Sequence, residues 1–96
     1  MTAHKIQNFE NKTPINLPKD KNTILVGGCF DIFHFGHLYF LEKAKGLGGI
    51  LIVPFESDEY IIAHKNKKPI HNQNQRATIL SHLDLVDMIL LLPFFL

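Results

Sequence analysis

The architecture of this chain is set by residues 23–37, which read TILVGGCFDIFHFGH. The apolar start of this stretch is typical of a buried strand, and the amphipathic residues 38–47 that follow are typical of a helix. His34 and His37 therefore fall where the helix begins, a point at which backbone N–H groups lack partners and the helix dipole favours negative charge. Gly36 between them lets a ligand approach the backbone closely. The stretch predicts a phosphate-binding site at a strand–loop–helix junction.

Further apolar runs and amphipathic stretches alternate along the rest of the chain. We predict strands at 23–28, 50–53 and 86–92, helices at 37–47, 58–63 and from Asn72 or Asn74 to Leu83, and a lysine-rich loop at 64–72. The residues expected to face inward from the longer helices are Leu38, Leu41, Ala44, Leu47, Ile79, Leu80 and Leu83. Strands that alternate with helices imply right-handed crossovers and a parallel sheet. The sequence therefore predicts an α/β fold with three layers, αβα, and about three strands.

The two ends of the chain differ from this pattern. Residues 1–22 are polar and contain prolines, which predicts an irregular N-terminal arm, pinned by Ile15 and Leu17, ahead of a single domain at 23–96. The last residues, 88–96, form an apolar run with two adjacent phenylalanines. An uncovered third strand with an aromatic tail would expose apolar surface, so we expect a homodimer.

Bulk composition narrows the classes of protein that this chain can be. Its 96 residues make one small domain, and a net charge of +1 gives no broad basic field for nucleic acid. The single cysteine excludes an internal disulfide and fits a reducing compartment. The longest apolar run is far shorter than the roughly 20 residues that span a bilayer, and the polar N-terminus lacks the apolar core of a signal peptide. We expect a cytoplasmic protein with no nucleic-acid or membrane partner.

An ordered series of motifs resembles the cytidylyltransferase-like nucleotidyltransferases. The first motif is the HxGH signature at His34–His37. In chain order the others are Ala44–Gly48 at a helix end, Ser57–Tyr60 after the second strand, the lysine cluster Lys65–Pro69, Arg76–Leu80 at a helix start, and Val86-Asp87 before the third strand. The resemblance implies a Rossmann-like fold. It also implies transfer of a CMP (or AMP) group from a nucleoside triphosphate to a small phosphorylated acceptor such as glycerol 3-phosphate, with release of pyrophosphate and with Mg²⁺ as cofactor.

The resemblance also implies roles for individual residues. His34, His37 and Lys67 are the implied catalytic residues, because they would stabilise the transition state at the triphosphate. The implied nucleotide-binding residues, with CTP or ATP as the nucleotide, are Gly28, Cys29, Phe30, His34, Gly36, His37 and Lys67. The implied acceptor-binding residues are Asp31, Lys65 and Arg76. No residue is expected to bind a metal ion directly, because the two histidines lack a nearby acidic or cysteine partner at ligand spacing.

Two questions of function stay open at this point. The Ser57–Tyr60 and lysine motifs are most similar to those of the glycerol-3-phosphate cytidylyltransferases, which use CTP. Residues 28–31, in contrast, resemble the ADP-heptose synthase domain, which uses ATP and a sugar phosphate. The later segment with which the family contacts triphosphate does not follow Leu92. A non-catalytic module that binds nucleotide or another protein is therefore the alternative to an enzyme.

Three polar residues have more than one interpretation. Asp31 could be a catalytic carboxylate, but a structural hydrogen bond that holds the loop is favoured. Arg76 could contact phosphate or pair with Asp84 or Asp87. Glu56 departs from the family pattern and would disfavour triphosphate unless it pairs with a lysine. We expect Glu56 to influence the choice of acceptor.

Overall fold

The protein is built around a parallel β-sheet, as the computed structural model of residues 5–9 and 21–93 shows. In chain order the elements are β1 (Ile6–Asn8), β2 (Thr23–Leu25), α1 (Phe35–Lys45), β3 (Ile50–Phe55), α2 (Asp58–Lys65), α3 (Gln73–Ser81) and β4 (Met88–Leu91). The strands lie in the order β1-β4-β3-β2, and every neighbouring pair is parallel. This arrangement confirms the predicted α/β, Rossmann-like fold.

Strand β3 lies in the middle of the core. Its residues Leu51, Ile52 and Val53 are all buried, because an unbroken apolar run suits a strand that is covered on both faces. Leu51 and Val53 belong to one apolar cluster with Leu41 of α1 and Leu80 of α3. Ile52 points to the opposite face by alternation and is 1% exposed, as a three-layer architecture requires. The carboxyl ends of the strands therefore meet at one edge of a well-packed sheet.

The prediction for the N-terminal arm is wrong at its start. Residues Ile6–Asn8, predicted to be irregular, form β1, which pairs with β4 in the register Ile6↔Ile89. The sheet is thus four-stranded instead of three-stranded. Three residues are too few to show a periodicity in sequence, but β1 supplies partners for backbone groups along the outer edge of β4. The predicted anchors Ile15 and Leu17 lie outside the described residues.

Strand β1 also changes the argument for a homodimer. The third predicted strand, β4, is paired on both sides, with β1 and with β3, so it is not the uncovered strand that favoured a homodimer. Phe94 and Phe95 lie outside the described residues, so homodimerisation stays a prediction. The edges of the described sheet are β1 and β2, and Leu25 on β2 is 65% exposed.

Several element boundaries differ from the predicted ones. Strand β2 ends at Leu25 instead of residue 28. Because α1 ends at Lys45, Leu47 lies beyond the helix and is 75% exposed instead of facing the core. Ile79 on α3, also predicted to face inward, is 37% exposed. Helix α2 extends to Lys65, which places this lysine on a helix and not in the predicted loop.

The helices are short. The longest, α1, has 11 residues, and α2 has 8. None of the helices in the described segments is long and apolar enough to cross a membrane.

Candidate active site

A pocket of about 380 Å³ opens at the carboxyl end of β2. The residues that line it are Gly27, Gly28, Cys29, Phe30, Asp31, His37, Phe40 and Lys67. The loop after β2 supplies the first five of these, α1 supplies the histidine and the second phenylalanine, and the loop after α2 supplies the lysine. The loop after β2 stays close to the sheet because Gly28 bridges to Phe55 at the end of β3. The fold thus brings most of the predicted nucleotide-binding residues together with Lys67.

His34 and His37 together cap the N-terminus of α1. His34 is the N-cap residue, with an extended backbone, and the N–H of Gly36 donates to its Nδ1 at 3.0 Å. The N–H of His34 in turn donates to Nδ1 of His37 at 3.2 Å. This is a capping box in which imidazoles replace the usual hydroxyl and carboxylate groups. A Cβ atom at position 36 would lie 2.8 Å from Cε1 of His34, so a larger residue there would displace the imidazole from its capping position.

The capping box fixes the position of the proton on both rings. Because each Nδ1 accepts a hydrogen bond, a neutral ring carries its proton on Nε2 and keeps that N–H available as a donor. The two rings stack with their centroids 3.9 Å apart. Burial lowers the pKa of His37 below its usual 6.5, and the nearby His34 adds to the effect. His37 is therefore a neutral N–H donor at pH 7.

Asp31 holds the loop between β2 and α1 in a strained conformation. Phe30 and Ile32 on either side of it both have φ of 50°, a left-handed region that is unfavourable for a β-branched side chain. The N–H of Ile70 donates to Oδ2 of Asp31 at 2.7 Å, and the N–H of His71 donates to Oδ1 at 2.9 Å. Burial raises the pKa of Asp31, but these hydrogen bonds outweigh it and hold the pKa below its usual 3.8. The favoured structural hydrogen bond is thus confirmed, and contact with an acceptor stays a prediction.

Replacement of Asp31 by asparagine is expected to lower the free energy of unfolding by about 1–3 kcal/mol, because an amide can accept only one of the two N–H groups and presents a donor to the other. Asp31 stabilises the wild type above pH 3.8, and this stabilisation is lost as the pH falls through the folded pKa. The asparagine variant should not show this loss of stability at low pH. Urea unfolding at pH 7 and at pH 3 measures both effects. Asp84→Asn, at an exposed position, is the control, and equal losses in the two variants would contradict the assignment.

Lys65 and Lys67 of the lysine cluster lie in different places. Lys67 lines the pocket with His37. Lys65 is the last residue of α2, and its Nζ lies 3.4 Å from Oε2 of Glu56. Asn66 turns the chain between the two lysines with φ of 49°. The ion pair fulfils the condition that Glu56 must pair with a lysine if an anion is to bind nearby.

The buried side chain of Arg76 holds together the segments that form the pocket. Its guanidinium is 0% exposed and joins segments that follow β2, β3 and α2. Nη1 donates to the carbonyl oxygen of Cys29 at 2.9 Å, and Nε donates to that of His71 at 3.1 Å. Nη2 donates to the carbonyl oxygen of Glu56 at 3.1 Å and to Oδ1 of Asp58 at 2.7 Å. One side chain therefore fixes the relative position of the loops that form the pocket.

This burial corrects two predictions for Arg76. An acceptor cannot contact a guanidinium that is buried and already donates to four protein oxygens, so the acceptor-binding role is wrong. The ion-pair partner of Arg76 is Asp58, not Asp84 or Asp87. Asp87 pairs instead with Lys45 at 2.7 Å.

Sequence reasoning missed two pocket residues, Gly27 and Phe40. Phe40 follows His37 by three positions on α1, so helical spacing puts both on the same face. That spacing could have identified Phe40. Phe40 is 49% exposed and forms an apolar part of the pocket wall.

Comparison with known proteins identifies the family of this chain. The family model described as cytidylyltransferase-like matches residues 25–95. A bifunctional protein HldE of Campylobacter jejuni (strain RM1221) is 40% identical over 88 residues, which are 91% of this chain and 19% of that relative. A FAD synthase of Thermococcus sibiricus is 38% identical over 73 residues, which are 76% of this chain and 49% of the synthase.

Among solved structures, the lipopolysaccharide core biosynthesis protein from Thermoplasma volcanium GSS1 has a TM-score of 0.69 and 34% sequence identity to this chain. The match covers 74% of this chain and 57% of that protein. The chain spans only 15–19% of the length of the HldE proteins that it matches. Since the family model covers most of the chain, the chain belongs to the cytidylyltransferase-like family.

Proposed function

We propose that this protein is a nucleotidyltransferase. It transfers a CMP or AMP group from CTP or ATP to a small phosphorylated acceptor, such as glycerol 3-phosphate or a sugar phosphate, and releases pyrophosphate. The observation that carries the proposal is the pair of stacked imidazoles at the N-terminus of α1, next to a pocket lined by Lys67. A helix N-terminus, two N–H donors and an ammonium group together suit a polyphosphate.

The reaction needs positioning and charge neutralisation more than a covalent intermediate. A phosphate oxygen of the acceptor attacks the α-phosphorus and forms a new P–O bond. The bond from the α-phosphorus to the oxygen that bridges to the β-phosphate breaks, and pyrophosphate leaves with the electron pair. His34 and His37 would donate Nε2–H to the α-phosphate oxygens, where negative charge builds up, while Lys67 would hold the leaving phosphates.

Magnesium is expected to arrive with the triphosphate. Within residues 5–9 and 21–93, no group of three or more His, Cys, Asp or Glu side chains is arranged to hold a metal ion. Mg²⁺ in such sites typically uses one or two carboxylates together with substrate phosphates and waters. Asp31 lines the pocket, but both of its oxygens already accept backbone hydrogen bonds, so the ion is expected to be held by the substrate phosphates and waters. When bound, the ion neutralises charge on the phosphates.

Two observations favour different nucleotides. The similarity to a FAD synthase favours ATP, because FAD contains an adenylyl group. The similarity of Ser57–Tyr60 and of the lysine cluster to glycerol-3-phosphate cytidylyltransferases favours CTP. Binding of nucleotide without transfer is the second candidate function, since the chain spans only part of the relatives that it matches.

The melting temperature of the chain, with Mg²⁺ and CTP, ATP, GTP or UTP each in excess, separates these possibilities. A ligand at 100 times its Kd stabilises a folded protein by about 2.7 kcal/mol, which corresponds to roughly 10–20 °C for a domain of this size. We expect CTP or ATP to give such a shift, and GTP and UTP to give little. Release of pyrophosphate with the preferred nucleotide and a phosphorylated acceptor then demonstrates transfer.

The outcomes of this experiment are distinct. A shift with CTP or ATP but no pyrophosphate with any acceptor would favour the binding module over the enzyme. No shift with any of the four nucleotides would contradict both candidates.

A further inference from the structure

The imidazole of His37 lies against two phenylalanine rings as well as against His34. Its centroid is 5.4 Å from that of Phe30, with the two planes at 71°, and 5.4 Å from that of Phe33, with the planes at 34°. These separations are typical of aromatic rings in contact. The N–H of His34 fixes the position of Nδ1 of His37, and the two phenylalanines restrict the tilt of the ring about that hydrogen bond.

The backbone adopts a strained conformation that places the ring of Phe30 beside His37. Phe30 has φ of 50°, a region that residues with a side chain rarely adopt. Its ring is nevertheless buried and also contacts Phe55 at the end of β3, with the centroids 5.8 Å apart. Gly28 makes room for this ring, because a Cβ atom at position 28 would lie 2.8 Å from Cε2 of Phe30. Strain of this kind is often found where a site needs a fixed geometry.

Phe33 contacts His37 from the same loop. It is half-buried and packs against the apolar core. Phe35, only two residues later, is 72% exposed, and its ring lies beside Tyr39 on the outside of α1. The short segment 30–35 thus contains two phenylalanines directed at His37 and a third that faces solvent.

We propose that Phe30 and Phe33 are positioning residues for His37. Their rings hold the imidazole so that its Nε2–H faces the pocket, and they limit the access of water to it. Burial is also the main cause that lowers the pKa of His37, because it disfavours the charged ring. The inference rests on the proposed function, in which His37 is a donor to the α-phosphate.

Replacement of Phe33 by leucine keeps an apolar side chain but removes the flat ring. We expect kcat for pyrophosphate release to fall about 10- to 100-fold with little change in KM, because a misplaced donor weakens the transition state more than the bound substrate. NMR titration of the full chain should show the pKa of His37 rising toward 6.5 as water reaches the ring. The spectra should also show a second neutral tautomer beside the Nε2–H form.

The other titratable groups around His37 are unchanged by this replacement. They are His34 in the same cap and Asp31 and Lys67 in the same pocket. A change in the pKa of His37 in the Phe33→Leu variant is therefore assigned to the lost ring.

Three further variants separate positioning from a general effect on stability. Phe33→Tyr keeps the ring and should retain the wild-type kcat and the wild-type pKa of His37. Phe35→Leu removes the solvent-facing ring and should also leave both quantities unchanged. Gly28→Ala should displace the ring of Phe30 and raise the pKa of His37. Urea unfolding gives the stability of each variant.

Two results would overturn the proposal. In the first, Phe33→Leu loses stability but keeps the pKa of His37 and its single tautomer, which would show that Phe33 serves the fold alone. In the second, Phe33→Tyr raises the pKa and lowers kcat as much as Phe33→Leu does, which would show that the ring itself is not what matters.

Failure of this inference is distinguishable from failure of the proposed function. If wild type releases pyrophosphate and Phe33→Leu releases it with the same kcat, the positioning role is refuted and the proposed function stands. If wild type neither binds a nucleotide nor releases pyrophosphate, the proposed function fails. The pKa and the tautomer of His37 then still decide whether the two phenylalanines position the imidazole.

Discussion

Replacement of His34 by asparagine is expected to lower the rate of pyrophosphate release by about 100- to 1,000-fold, the usual effect of removing one donor that faces developing charge. Asparagine is among the best N-cap residues, and its side-chain oxygen can accept the N–H of Gly36 as Nδ1 of His34 does. The variant therefore keeps the cap of α1 and lacks the Nε2–H group. The free energy of unfolding should stay within about 1 kcal/mol of wild type.

The matching replacement at His37 is glutamine, the residue that a capping box favours at this position. Its side-chain oxygen can accept the N–H of His34, so the same loss of rate is expected with the cap preserved. The pH dependence of stability offers a second readout. Because the pKa of His37 is lowered, the wild type loses stability as the pH falls from 6.5 through the folded pKa, and the variant should lack this loss.

Asparagine at His64, an exposed histidine on α2, serves as the control for both variants. It should release pyrophosphate at the wild-type rate. Steady-state assays at saturating nucleotide and acceptor give the rate, and urea unfolding gives the stability. If the His34 and His37 variants lose stability and rate together, the histidines serve the helix and the catalytic assignment is wrong.

Replacement of Arg76 by alanine is expected to lower the free energy of unfolding by about 3–5 kcal/mol, which is a large fraction of the stability of a small domain. The guanidinium is fully buried and donates to the carbonyl oxygens of Cys29, Glu56 and His71. Alanine would leave these oxygens without their donor and a cavity beneath the pocket. The carboxylate of Asp58 would also lose its cation.

The Arg76→Lys variant distinguishes the effect of the positive charge from the effect of the planar guanidinium shape. It keeps a positive group for Asp58 but has three donors in place of five and no planar fork, so a loss of about 1–3 kcal/mol is expected. Alanine at Lys68, an exposed residue, should change stability by less than about 0.5 kcal/mol. Urea unfolding measures all three variants. A loss below about 1 kcal/mol in Arg76→Ala would show that the loops are held by other contacts.

The local parts of the site could be predicted from sequence. The conformation of residues 34–37 is determined within one strand–loop–helix unit, because helix capping depends on residues that are close in sequence. The position of Lys67 in the pocket with His37 was also expected, because the connection from β3 to α3, in which Lys67 follows the short helix α2, begins at the same edge of the parallel sheet as the loop after β2.

The non-local parts could not be predicted. Arg76 at a helix start is indistinguishable in sequence from an exposed arginine, and its burial depends on carbonyl oxygens that converge only in the folded chain. The same holds for Oε2 of Glu56, which is buried in the folded chain. Strand β1 was missed because a three-residue strand is specified by the edge that it joins, not by its own pattern.

The pairing of β1 with β4 has a consequence for biosynthesis. Ile6 leaves the ribosome ahead of the other elements of the described fold, yet its partner Ile89 is made after all of them. A nascent chain must therefore keep β1 unpaired until β4 emerges and docks on β3. Such late closure between distant segments slows folding and leaves strand edges open to chaperones or to other nascent chains. Within the described sheet, the pairing of β1 therefore waits for the translation of β4, although β1 is synthesised before the other described strands.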